Sequence, residues 1–263
     1  ENLDDSDMLS LLAIILEKLK QKEQERIGPV ISRIVDIGGS EATDLLLSEL
    51  YLTEVGEEYW IGEQIIDALG ATGDEKALDV LDSRLSDELD GVIDYHFDWN
   101  PNSDLGPSYR NGREGFLCYE TASAIADIGG NKAKEILLSY VMNHDPWWSS
   151  HVAVRELENL GWKPENEAEK IAYLIAKRDW KGCKEMGEVA IKEAIESLAH
   201  PIYVFEDATC VLGEIVEAVN SFGKEKVVEI LKGVPNAWSD DGYDSIERLE
   251  NMIRSPYAPR QNY

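Results

Sequence analysis

Positive charge is what this chain has least of. Its 25 Lys and Arg stand against 52 Asp and Glu, a net charge of −27. A surface of that sign repels phosphate backbones, which argues against nucleic acid as a partner. It suits a basic protein, a cationic ligand or metal ions. Solubility alone also rewards acidity, and that plainer reading stands beside the first. Cysteine is scarce too: Cys118, Cys183 and Cys210 are far apart and form no CxxC pair. An odd, scattered set excludes a disulfide framework and predicts buried, reduced thiols in a cytoplasmic protein. No run reaches the roughly 18 apolar residues of a spanning helix. The stretch from Leu9 to Leu16 is apolar but short, follows the acidic ENLDDSD, and fits neither a signal peptide nor an anchor, so no membrane partner is expected. Catalytic signatures are missing as well, with no GxSxG elbow, P-loop, GxGxxG or HExxH. Carboxylates are so abundant that no single pair stands out as acid and base. The balance leans away from an enzyme.

What the chain does have is rhythm. Hydrophobic residues make up 43% of it, enough for a core along most of the length. The stretch from Ile65 to Leu85 sets the pattern. Ile65, Ile66 and Leu69 form one apolar helix face, and Gly70 and Gly73 bracket a turn. Asp74 is placed to cap the next helix, and Ala77, Leu78 and Leu81 resume the stripe. The same grammar returns at RIVDIGGSEATDLLL, AIADIGGNKAKEILL and ELENLGWKPENEAEKIAYLI, and more loosely from Lys184 and from Ala218. The marker glycines are Gly38, Gly70, Gly129, Gly161, Gly187 and Gly223, at intervals of 32, 59, 32, 26 and 36. A period near 32, broken once by 27 extra residues, predicts stacked helical hairpins and an all-α fold. A further helix, from Ser6 to about Lys22, carries Leu9, Leu12, Ile15, Leu16 and Leu19 along one side and has no matched partner.

These junctions resemble the short HEAT-like repeats named after phycobilisome lyases, over roughly Pro29 to Val234. The likeness is strongest at LGATGDEKAL and LGWKPENEAEKIAYLIAKRDW. The resemblance implies a right-handed α-solenoid of about five to six stacked helical hairpins with capping helices. First helices would form its outer layer and second helices its inner one. The marker glycines would be left-handed helix C-caps, with Trp162 packed over its turn. One domain would then run over residues 1–254, with an N-terminal cap in 1–28, an inserted loop at 87–113 and a C-terminal cap at 235–254. Residues 255–263 would be a flexible tail. The family spans lyases and scaffolds, so the repeat speaks for a fold more than for an activity.

The inserted loop, Asp87 to Arg113, shows neither helical nor strand period and is rich in Gly, Pro, Asn and Asp. Structureless loops of this length are uncommon in compact domains and are often functional. Asp98, Asn100, Asn102 and Asp104 offer oxygen ligands at alternate positions, as a calcium loop does. Ser103 stands where an EF-hand needs Gly, however, and Tyr109 where it needs a bidentate Glu. Turns stabilised by Asx side chains explain the same pattern without calcium.

Links between hairpins hold all four histidines and five of the seven tryptophans. They present Tyr59 and Trp60, then Tyr95, His96, Trp99 and Tyr109, then Trp147, Trp148 and His151, then Tyr203, and finally Trp238. Stacked hairpins would set these along one edge as an aromatic rim for partner recognition. The rings could equally tuck under the loops and seal the hairpin ends. His144 and His151, seven apart, could converge on zinc or iron. None of the histidines forms the His-Glu dipeptides of HEAT-like hydroxylases, and surface imidazoles without metal explain them more simply.

The charge is concentrated early. Between Glu41 and Asp104, 18 acidic residues face Lys76 and Arg84 alone, a net of −16. The reading that best joins these features is a non-enzymatic scaffold. It would bind a basic or amphipathic protein segment through an acidic concave face and the aromatic rim, with no cofactor. A bilin-lyase-like protein stacking a flat small molecule on the rim is a second reading. A divalent-cation module built on the insertion is a third.

Overall fold

In the computed structural model, which describes residues 4–22, 26–53, 59–92, 114–143, 147–198 and 217–233, every regular element is helical and no strand occurs among the described residues. The helices are α1 (Asp5–Lys22), α2 (Ile27–Ile37), α3 (Gly39–Thr53), α4 (Tyr59–Thr72), α5 (Leu78–Val92), α6 (Glu114–Ile128), α7 (Gly130–Asn143), α8 (Trp147–Asn159), α9 (Glu167–Ala176), α10 (Trp180–Met186), α11 (Glu188–Glu196) and α12 (Lys224–Gly233). Residues 217–222 are also helical. Among the described residues, no helix is long and apolar enough to cross a membrane.

The glycine grammar has a physical basis. Gly38, Gly129, Gly161, Gly187 and Gly223 all have positive φ, and each ends a helix. Gly161 closes α8 in a Schellman motif: Trp162 N–H donates to Leu157 O at 2.9 Å and Gly161 N–H to Glu158 O at 2.9 Å. Gly38 (φ 68°, ψ −167°) and Gly187 (φ 102°, ψ −164°) are not left-handed helical. They occupy the mirror-extended region that is essentially closed to other residues, which lets the next helix begin one residue later.

Gly70 departs from the expected role. It is helical and buried, α4 runs on to Thr72, and the positive φ belongs to Gly73 (65°). Asp74 then caps as expected, its side chain accepting from Lys76 N–H at 3.0 Å, over a single 3-10 turn at Glu75–Ala77. The one non-glycine residue of positive φ among those described is Arg178 (55°), between α9 and α10.

By their contacts the residues gather into two compact units, each described by itself. The first comprises 1–92, 111–139 and 155–163, and the second 93–110, 140–154 and 164–263. The division runs through α7 and α8. In the first unit α1 packs on α2 and α3, α2 on α3 and α4, α3 on α4, and α6 on both α4 and α5. Its core is aliphatic: Leu16, Ile34, Leu46, Leu50, Ile65, Leu69, Leu78 and Leu81 are buried. Leu9 and Leu12 bury the inner face of α1, while Leu11 and Ile14 face solvent. The α1–α3 contact also encloses an ion pair, Lys20 with Glu49, whose side chains are 10% and 8% exposed.

In the second unit α10 packs on α9 and α11, and α11 on α12. Ile171, Ile175, Ile191, Ile195, Val227 and Leu231 surround Trp180, which meets Phe222 edge-on with centroids 6.2 Å apart. Asn166 caps α9 through Glu169 N–H (3.0 Å), and Asp179 caps α10 through Gly182 N–H (2.8 Å). Cys183 is a buried free thiol here, as its isolation in the sequence predicts.

Candidate acidic site on the first helices

Two sequence spacings meet in the first unit. Glu63, Asp67 and Gly70 lie at i, i+4 and i+7 on α4. Glu120, Ala124 and Asp127 lie at the same spacing on α6. Each set therefore shares one helix face. Gly70 and Ala124 form the contact: a Cβ at Gly70 would stand 2.8 Å from Ala124 Cα, so only glycine allows this approach. The carboxylates flank it on the solvent side, with Asp67 and Asp127 exposed and Glu63 and Glu120 half-buried.

Their charges oppose one another. Partial burial, then the nearby Asp127, raises the Asp67 carboxyl above its ordinary value of 3.8. Burial also raises Glu120 above 4.5, helped by Asp67, Glu63 and Glu156 and opposed by Arg155. Arg155 and Glu156 come from the end of α8. Arg155 donates Nε (2.8 Å) and Nη2 (2.7 Å) to Glu156 Oε1, and Asn159 Nδ2 donates to Oε2 at 2.9 Å. The Arg155 guanidinium also lies over the Tyr119 ring, 4.9 Å from its centroid. The Arg155 guanidinium is thus already engaged by a carboxylate and a ring, and among the described residues of this face the carboxylates are in excess. Such a face attracts cations.

Cys183 belongs to the other unit, and its thiol is pushed up to about 12 by burial, then by Asp179, so it stays protonated. Among the described residues, no three His, Cys, Asp or Glu side chains are grouped to hold a metal ion.

The expected recognition residues are placed as follows. Tyr59 and Trp60 form the first turn of α4, and Trp147, Trp148 and His151 the first turns of α8, so these five stand on helices and not in links. For the four aromatic residues the description covers the backbone alone. The His151 side chain is half-buried, with Nδ1 3.2 Å from the carbonyl oxygen of Ala176, the last residue of α9. Tyr95, His96, Trp99, Tyr109, Tyr203 and Trp238 lie outside the described residues, as do the four calcium-type ligands Asp98, Asn100, Asn102 and Asp104 and His144. The inserted segment is shorter than the sequence suggests, since 87–92 are the last turns of α5.

Sequence reasoning counted the acidity between Glu41 and Asp104 but missed Glu120, Asp127, Arg155 and Glu156. The signal was available in the matched i, i+4, i+7 spacing of acid and small residues on the two helices. No family model, no curated protein and no solved structure matches this chain.

Proposed function

We propose that this protein is a non-enzymatic interaction scaffold that binds a basic or amphipathic protein segment on the acidic face of α4 and α6. The observation that carries the reading is the carboxylate set Glu63, Asp67, Glu120 and Asp127, two members of which are held protonation-prone by burial and mutual repulsion. A cationic side chain placed there relieves repulsion that the fold otherwise sustains. The architecture we propose is the right-handed HEAT-like α-solenoid. It is supported by three findings: five of the six marker glycines end a helix, helices of the first unit pack on near neighbours in the chain, and equivalent lysines bridge hairpins of that unit. In that arrangement α4 and α6 are first helices. The acidic face then belongs to the outer layer of first helices and not to the concave face that the sequence suggested.

The test is the titration of an amphipathic Lys- and Arg-rich peptide against the whole chain at rising salt. Between about 0.01 and 0.15 M the Debye length falls from about 30 to about 8 Å. Affinity is expected to drop at least about tenfold over that range, and an affinity indifferent to salt overturns the reading.

A further inference from the structure

Lysines recur at one position of this chain with one job. Lys76, Lys132 and Lys226 each stand three residues after a turn glycine, Gly73, Gly129 and Gly223. Each reaches back to an acid near the start of an earlier helix that itself follows a turn glycine. Lys76 pairs with Asp44 of α3 and lies 3.4 Å from Ser40 Oγ, and Lys132 pairs with Asp79 of α5 at 2.7 Å. In the second unit Lys226 pairs with Glu188 of α11. Asp44 and Asp79 in turn both stand six residues after their own turn glycine. In the first unit the pairs form rungs between successive hairpins.

The contact between the α4/α5 and α6/α7 pairs is therefore unlike on its two sides. On the side of α5 and α7 it is closed by a wet ionic rung, in which Lys132 is 43% and Asp79 79% exposed. On the side of α4 and α6 it is a dry approach of Gly70 to Ala124. Just outside that approach, Glu63 and Asp67 of α4 face Glu120 and Asp127 of α6, with Arg155 and Glu156 of α8 beside Glu120. Attraction on one side and repulsion on the other turn the two hairpins in the same sense about the close contact. Exposed charges are screened by salt, whereas the apolar contact is not.

We infer that the Gly70–Ala124 contact is a pivot between the second and third hairpins, held at one setting by the Lys132–Asp79 rung and by carboxylate repulsion across α4 and α6. Raising the ionic strength weakens both. The rung side then opens and the carboxylate side closes, with the dry contact intact. Helix shifts at packed contacts are typically about 1–2 Å, which sets the scale.

The test uses the full chain with paramagnetic labels on a keto amino acid at positions 83 (α5) and 139 (α7), both exposed serines, leaving the cysteines untouched. The distance between the labels is expected to lengthen by about 1–2 Å on going from about 0.01 to 1 M salt. Lys132→Met is expected to show the longer distance already at low salt and to lose the rung's share of the salt response. Lys132→Arg, which keeps the charge, is expected to restore it. A wild-type distance that is the same at both salts overturns the inference. So does a salt response that persists in full in Lys132→Met.

Discussion

At the scale of single residues, stability depends on what a Cβ or a charge meets. Gly187→Ala forces an L side chain into a mirror-extended conformation, and the expected loss is about 1–3 kcal/mol in denaturant unfolding. Gly233→Ala, in the last turn of α12 with nothing within 4 Å among the described residues, is the control and is expected to be neutral or slightly stabilising. Gly70→Ala separates two principles. Helix propensity favours Ala by about 1 kcal/mol, but the new methyl meets the α6 backbone, which must move. We expect the clash to win, with a net loss of about 1–3 kcal/mol. The buried Lys20–Glu49 pair behaves differently from the exposed rungs. Glu49→Ala strands a charge that is 10% exposed and is expected to lose about 3–5 kcal/mol, and Lys20→Met added to Glu49→Leu recovers most of it. A double variant no more stable than Glu49→Ala would contradict this.

At the scale of elements, acid titration reports on the α4–α6 seam. The folded pKa values of Asp67 and Glu120 lie above their unfolded ones, so the folded state holds protons more tightly. The sign follows from linkage: these two groups cost stability above their raised folded values, and that cost disappears as pH falls to their ordinary values of 3.8 and 4.5. Asp67→Asn is expected to raise stability at neutral pH by less than about 1 kcal/mol, because solvent screens an exposed group. Its advantage over the wild type is also expected to fade as pH falls to 3.8, where the wild-type carboxyl is protonated and so neutral too. A melting-temperature profile unchanged by the substitution would mean that the seam is not under electrostatic load.

Element boundaries also show how much could be read in advance. Helix existence and order were legible because apolar residues recur at helical spacing. The break after Ile37 was legible because Gly38 follows the last apolar residue. The break after Leu69 was misplaced by three residues, because sequence does not reveal which of two glycines takes positive φ. The end of α5 was also missed. DELDGV is polar and contains a glycine, yet a nucleated helix propagates through such residues at small cost per residue. Trp147 and Trp148 read as part of a link between hairpins, but α8 opens with them, directly after Pro146.

At the scale of the whole molecule, the sequence conveyed acidity without saying where it is focused. Composition counts charges along the chain, whereas Glu63, Asp67, Glu120 and Asp127 become neighbours only when α4 packs on α6. If binding follows this placement and not net charge, charge-matched variants will differ. One carries Glu63→Gln, Asp67→Asn and Glu120→Gln. The other carries Glu185→Gln, Glu225→Gln and Glu229→Gln, three exposed acids of the second unit. Both lose the same formal charge. Titrated with the same basic amphipathic peptide at about 0.01 M salt, where screening is weak, the first is expected to lose at least about tenfold in affinity and the second less than about twofold. Equal losses in the two variants would contradict the account.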